Sequence, residues 1–193
     1  MSRGLGDVYK RQIDTFRSSV AARTIHKYGK VIINDISAGE LDPLIVDVAA
    51  EHDVPYVAMH MKGDPRTMQS MTDYRDIVAE VVDYFRERTA QLRERGVRRI
   101  VVDPGFGFAK TLEQNYELLR GLHSLAELGY PVLAGVSRKS MIYKLLGTTP
   151  AEALNGTTAL HWECLRQGAV ILRAHDTREA VEVVRMFDQF MQA

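Results

Sequence analysis

A single cysteine, Cys164, stands in 193 residues. The chain therefore has no internal disulfide and no cysteine-rich zinc site, and a reducing compartment such as the cytoplasm suits it. Net charge is lacking too, since 25 Lys and Arg balance 25 Asp and Glu. That disfavours a nucleic-acid binder that works by neutralising phosphates in bulk, but it leaves room for a small anion site. No apolar run is long enough to cross a bilayer. The opening MSRGLGDVYKRQ has no apolar core of the kind a secretory signal carries. Also missing are a Walker A loop, a GxGxxG opening a helix, HExxH, GxSxG and a catalytic-cysteine signature. Low-complexity tracts, internal repeats and linkers are lacking as well, so one domain is expected.

What is present is alternation. Short apolar runs occur at KVIINDI (30–36), VPYVAMHM (54–61), RRIVVDP (98–104), YPVLAGVS (130–137) and AVILRAHD (169–176). Near-continuous apolarity marks parallel strands buried on both faces. The segments between them read as helices. In residues 72–96, Ile77, Val81, Phe85 and Leu92 share one face, with Arg93, Arg95 and Gly96 as a basic stop. Residues 112–129 form one further helix candidate. In 176–192, Ala180, Val183, Val184, Phe187 and Met191 form an apolar stripe behind Asp176 as N-cap. Strand–helix alternation predicts a parallel α/β fold. Polar residues cluster just past the C-terminal end of every strand, the pattern of a barrel mouth rather than of one switch point in an open sheet.

Those strand-end residues have chemistry in common. Asn34 and Asp35 offer an amide and an acid, and an amide can both donate to and accept from a heterocycle edge. Asp103 follows a buried run, where a carboxylate needs a partner, a ligand, or a cap to satisfy. It opens VVDPGFGFAK, in which Pro104 ends the strand and two glycines turn the chain, while Phe106 and Phe108 are either core or the wall for a flat ligand. VSRKS (136–140) sets two cations between hydroxyls, suited to a phosphate or carboxylate. Arg173 and His175 alternate onto the same side of an extended segment. His60 lies between Met59 and Met61, polarizable side chains that can stack on a ring or fill a core.

In order and spacing, IDTFRSSVA, IINDIS, MHMKGDPRTMQ, VVDPGFGFAK, GVSRKSMI and ILRAHD resemble the dihydropteroate synthase family. DPGFGF with SRKS separates them from the related methyltetrahydrofolate methyltransferases. The resemblance implies a (β/α)₈ TIM-barrel type fold. It implies condensation of 6-hydroxymethyl-7,8-dihydropterin diphosphate with p-aminobenzoate, giving dihydropteroate and pyrophosphate, with Mg²⁺ as cofactor. By the same resemblance Asp14, Asn34, Met59, Asp103, Lys139 and Arg173 hold the pterin. Arg173 and His175 hold the diphosphate. Phe108 and Ser140 line the p-aminobenzoate pocket where sulfonamides compete, with Pro65 in the adjoining loop. Asp103, Lys139, Arg173 and His175 carry the catalysis. A cytoplasmic enzyme with small-molecule substrates, no nucleic-acid or membrane partner, and a homodimer through the later helices is implied.

The resemblance starts late. IDTF is the end of the family's third strand, yet here it begins at Ile13, and such a barrel takes about 250 residues. The expectation is an incomplete barrel lacking the first two β/α units and most of the third strand. With those units go the loop whose Asn helps hold Mg²⁺, so no metal ligand is assigned, and the loop that closes over p-aminobenzoate. Residues 1–12 are expected to be foreign to the family, and 13–193 to be the pterin-binding domain. The alternatives are a non-catalytic pterin-binding protein and a methyltetrahydrofolate methyltransferase relative.

Overall fold

The computed structural model describes residues 11–192. Its elements run β1 (Gln12–Asp14), α1 (Ser18–Tyr28), β2 (Ile32–Asp35), α2 (Leu44–Glu51), β3 (Tyr56–Met59), α3 (Ile77–Glu94), β4 (Ile100–Asp103), α4 (Leu112–Arg120), α5 (His123–Ala126), β5 (Leu133–Ala134), α6 (Ser140–Leu146), α7 (Leu154–Arg166), β6 (Ile171–Leu172) and α8 (Thr177–Gln192). The first four strands pair in parallel in chain order. A parallel bridge from Val102 to Val132 passes the sheet on to β5, which pairs with β6. Strand order is thus strictly sequential. A doubly wound sheet would reverse direction part-way, so the winding is of barrel type.

The strands are shorter than the apolar runs that predict them. The run at 54–61 is strand only over Tyr56–Met59, and that at 130–137 only over Leu133–Ala134. Polar residues follow soon after these points, His60 after β3 and Ser137 after β5. Pro131 also limits β5, because it can accept from Val102 N–H (3.0 Å) but has no N–H to donate. Helix α3 matches its periodicity, with Ile77, Val81, Phe85 and Leu92 all buried, and Asp76 caps it by accepting from Ala79 N–H at 2.9 Å. The helix expected over 112–129 is instead two, α4 and α5. At Gly121 a Cβ would meet Val78 at 2.7 Å, so the chain presses against α3 there and turns. On α8, Ala180 and Val183 are buried, Phe187 packs edge-on against Trp162, and Met191 is exposed. The expected stripe is therefore only half used within the chain. Asp176 stands immediately before α8, and its carboxylate accepts from Arg138.

Strand pleating separates Asn34 from Asp35. Asn34 faces the strand-end rim, whereas Asp35 turns the other way and is fully buried. Its carboxylate accepts from Ser37 N–H and Oγ (2.8 and 2.7 Å), Gly39 N–H (2.7 Å) and the Tyr56 hydroxyl (2.6 Å). With its acceptor sites so occupied, Asp35 holds the 36–39 turn and is not a ligand residue.

Candidate functional site

Asp103, at the end of β4, is the centre of the rim. Its Oδ1 accepts from Gly105 N–H (2.9 Å), which closes the turn after the strand, and its Oδ2 accepts from Arg173 Nη2 (2.6 Å). Only 1% of the Asp103 side chain is exposed, against 34% for Arg173. The other arm of the guanidinium donates to Asn34 Oδ1 (3.0 Å), and Asn34 Nδ2 donates to Asp14 Oδ1 (2.9 Å). Four of the expected residues, from β1, β2, β4 and the end of β6, therefore form one continuous chain, Asp14–Asn34–Arg173–Asp103. The capping alternative for Asp103 falls away, since Thr111 caps α4 through a reciprocal pair with Gln114.

Gly135 makes room for this arrangement. A Cβ there would lie 3.0 Å from Arg173 Nη2. Gly135, Ser137, Lys139, Arg173, Ala174 and His175 line a cavity of about 210 Å³. Lys139, just before α6, donates to the Phe106 carbonyl and sits 4.7 Å from the Phe108 ring centroid. The two phenylalanines divide the roles left open by the sequence. Phe106 is fully buried core, while Phe108 is half-buried beneath Lys139. Met59 is buried at the end of β3 beside Asp103, its side chain packed where a Gly105 Cβ would fall. Ser140 opens onto a neighbouring cavity of about 450 Å³ with Gly107, Lys110, Tyr143 and Lys144. Pro65 is exposed in a turn.

Two contributors receive no role of their own from the sequence, Lys110 and Ser137. Lys110 is buried, and its ammonium donates to the Gly105 and Phe108 carbonyls (3.1 and 2.9 Å) and lies 3.1 Å from His60 Nδ1. It ties the 105–108 loop into a ring. Burial drives the Lys110 ammonium down to about 7, although Asp103 pulls the other way. Burial likewise brings Lys139 down to about 8. Buried His60 is held well below the usual imidazole range by desolvation and then by Lys110 and Lys62. His60 is accordingly a neutral partner of Lys110, not a residue open to a ligand. Ser137 is buried at the cavity wall, against His175.

These shifts set a pH dependence. Between about 7 and the ordinary lysine value of 10.5, the unfolded chain holds more protons than the folded chain at Lys110 and Lys139, so stability climbs with pH. Above the ordinary thiol value of 9 Cys164 works against this rise, because burial pushes it up to about 12 and the unfolded thiol ionises first, but one thiol does not outweigh two lysines. Tyr56, Tyr74 and Tyr84, raised by burial, add to that opposition above 10. Urea melts should therefore give a maximum between about pH 9 and 10, where the tyrosines tip the balance, with a Lys110→Met chain rising less from pH 7 to 9. A wild-type profile falling over that interval would contradict the assignment.

The barrel-type α/β fold thus sets an amide, an acid and a guanidinium at one rim beside a cavity lined by Lys139, Arg173 and His175. The model for the pterin binding enzyme family matches residues 8–175, and the chain belongs to that family. It is 42% identical over 179 residues to dihydropteroate synthase of Synechocystis sp., covering 91% of this chain and 62% of the relative. Two Thermus thermophilus dihydropteroate synthase structures, in complex with 6HMPPP and with 4-aminobenzoate, are each 39% identical and superpose with TM-scores of 0.88. Each alignment covers 93% of this chain, with 72% and 70% of the respective structures. The chain thus spans less than two-thirds of the length of the Synechocystis relative.

Proposed function

We propose that the chain carries the pterin and diphosphate site of a dihydropteroate synthase, joining 6-hydroxymethyl-7,8-dihydropterin diphosphate to p-aminobenzoate. The carrying observation is the Asp14–Asn34–Arg173–Asp103 chain set against a cavity lined by Lys139, Arg173 and His175. Asp103 and Asn34 offer an acceptor and an amide to the pterin edge, and Met59 forms the floor beside them. Arg173, Lys139 and His175 receive the diphosphate. The C–O bond to the leaving diphosphate breaks, its electrons departing with the anion, and the aromatic amine then bonds to the pterin methylene carbon and loses a proton. No protein nucleophile is called for, and the side chains contribute position and charge. Phe108 and Ser140 border the space for the second ring, where a sulfonamide would compete.

Mg²⁺ is implied by the resemblance, but the side chains that line this cavity do not fit it. Arg173 and Lys139 are cations, His175 is a nitrogen donor and the one hydroxyl, Ser137, is engaged by His175, whereas Mg²⁺ takes several oxygen ligands. Among the described residues no group of three or more His, Cys, Asp or Glu could hold a metal ion. The chemistry assigned to these residues therefore does not run through the ion.

In this reading residues 13–193 are the pterin-binding domain, and the six-stranded arc is an incomplete barrel, completed by two further β/α units when it works. Sequential parallel pairing with β1 and β6 at the two ends of the arc supports this. A homodimer through the last helices is supported by the exposure of Val181, Met186, Phe190 and Met191 on α8. A cytoplasmic location belongs to the same reading. No described helix is long and apolar enough to cross a membrane.

The direct test is dihydropteroate formation by the purified chain with both substrates and Mg²⁺. It is run alone and again with a separately expressed fragment carrying the first two β/α units of a relative. Product that appears or grows on adding the fragment supports the reading. Pterin diphosphate binding with no product in either case would favour a non-catalytic pterin-binding protein.

A further inference from the structure

The latch between the β5 and β6 loops consists of two consecutive residue pairs. Ser137 meets His175, and Arg138 meets Asp176. The second pair is ionic, with Arg138 in a left-handed backbone conformation (φ 53°) and donating through two nitrogens to the carboxylate. It fixes the distance between the loops. The first pair fixes a proton.

His175 N–H donates to Ser137 Oγ at 3.1 Å, and the same oxygen lies 3.0 Å from His175 Nδ1. A hydroxyl has one hydrogen to give and two lone pairs to receive with. One lone pair is taken by the backbone N–H. Ser137 is only 3% exposed, and among the described residues its hydroxyl oxygen has no side-chain partner except Nδ1. If Nδ1 carried the ring proton, the hydroxyl would accept twice and its own hydrogen would be stranded in a buried place, which folded proteins avoid. With Nδ1 bare, every group is satisfied. The ring proton then lies on Nε2, on the edge of the imidazole away from Ser137, and His175 lines the cavity with Arg173 and Lys139.

We infer that Ser137 is a positioning residue that holds His175 as the Nε2–H tautomer, so that a neutral imidazole offers a fixed N–H donor to an anionic oxygen in the cavity. This rests on the reading of the cavity as the diphosphate site. The imidazole donates without having to gain a proton, and two cations beside it carry the charge. The other ionisable neighbours, Asp176 with Arg138, and His161 beyond Asp176, lie behind the latch.

The test reads the tautomer directly. The imidazole nitrogens of the full chain are isotope-labelled, and a long-range proton–nitrogen correlation spectrum is recorded at mildly alkaline pH. The His175 signals are assigned by their loss in His175→Gln. The wild-type chain should show a bare Nδ1 and a protonated Nε2. Ser137→Ala should move His175 towards the other tautomer and weaken binding of inorganic pyrophosphate about tenfold, the loss of one modest hydrogen bond. Ser137→Thr, which keeps the hydroxyl, should restore both. A wild-type ring protonated on Nδ1 overturns the inference without needing any variant to fold. So does a Ser137→Ala chain with its tautomer unchanged. A wild-type chain that shows the expected tautomer but binds no pyrophosphate overturns the anion-site reading, and leaves the tautomer latch established.

Discussion

Asp103→Asn should lower affinity for the pterin diphosphate by about 100-fold, on the scale of ~3 kcal/mol for a lost charge-assisted pair, and should remove measurable turnover. The change keeps shape and size. The amide oxygen can still accept from Gly105 N–H, so the loop after β4 stays in place. What disappears is the negative charge. Arg173 loses its 2.6 Å partner, and Lys139 and Lys110 lose the carboxylate that opposes their desolvation. Three buried or half-buried cations would then face one another with only Asp14, exposed at the end of the chain of contacts, to balance them. The pterin edge would also lose its charged acceptor. Calorimetric titration with the pterin diphosphate gives the affinity, and a product assay gives the turnover. Unchanged affinity would mean that Asp103 does not touch the pterin, and the proposed site would fail at its centre.

Gly105→Ala should cost about 2–5 kcal/mol, combining overpacking of ~1–3 kcal/mol with left-handed strain of ~1–2 kcal/mol. For a chain of this size that lowers the melting temperature by roughly 10 °C or prevents folding. The backbone at Gly105 has φ +68°, and a Cβ would sit 2.1 Å from the His60 carbonyl oxygen. That oxygen belongs to backbone that cannot step aside. His60 N–H is bonded to the Asp103 carbonyl at 2.9 Å, and the Gly105 carbonyl is held by Lys110. Gly147→Ala is the matched control. Its φ is +65°, but nothing lies within 4 Å of a Cβ there. It should lose only the strain, about 1–2 kcal/mol. Equal losses at the two glycines, read from thermal and urea melts, would show that the contact with the His60 carbonyl is not rigid.

Much of the site was legible because burial and polarity conflict at strand ends. Asn34, Asp103, Arg173 and His175 each follow an apolar run, and a polar group there needs a partner. Asn34, Asp103 and Arg173 proved to be partners of one another, and His175 found Ser137. Helix α3 was legible for a similar reason, since Ile77, Val81, Phe85 and Leu92 repeat at helical spacing along its length. The break between α4 and α5 was not, because it comes from the approach of Val78 on a different helix. Lys110 was hidden as well. A lysine ending a Gly-rich loop looks solvated, and it is buried only because the loop folds back over the end of β3, next to His60. Asp35 misled in the other direction. Next to Asn34 it looks like part of the same rim, but pleating sends it into the core, where Tyr56 and the 36–39 turn satisfy it. Ser137 was legible only as one hydroxyl of a basic loop, since its importance lies in where one hydrogen must point.

Arg173 already occupies the acceptors that the pterin would use. Its guanidinium holds Asp103 Oδ2 and Asn34 Oδ1. On the proposed reading the site thus contains an internal competitor, and arrival of the ligand is an exchange rather than a filling. A pterin without its anionic tail would have to evict the guanidinium and leave it with no equal partner. A pterin diphosphate brings that partner along, so eviction and compensation come from one molecule. The affinity gap between the diphosphate ester and the free alcohol measures this selection. On the same reading, departure of the diphosphate would leave the arginine without a counter-charge again and return it to Asp103. The ion pair that guards the entrance of substrate would then help to expel the product.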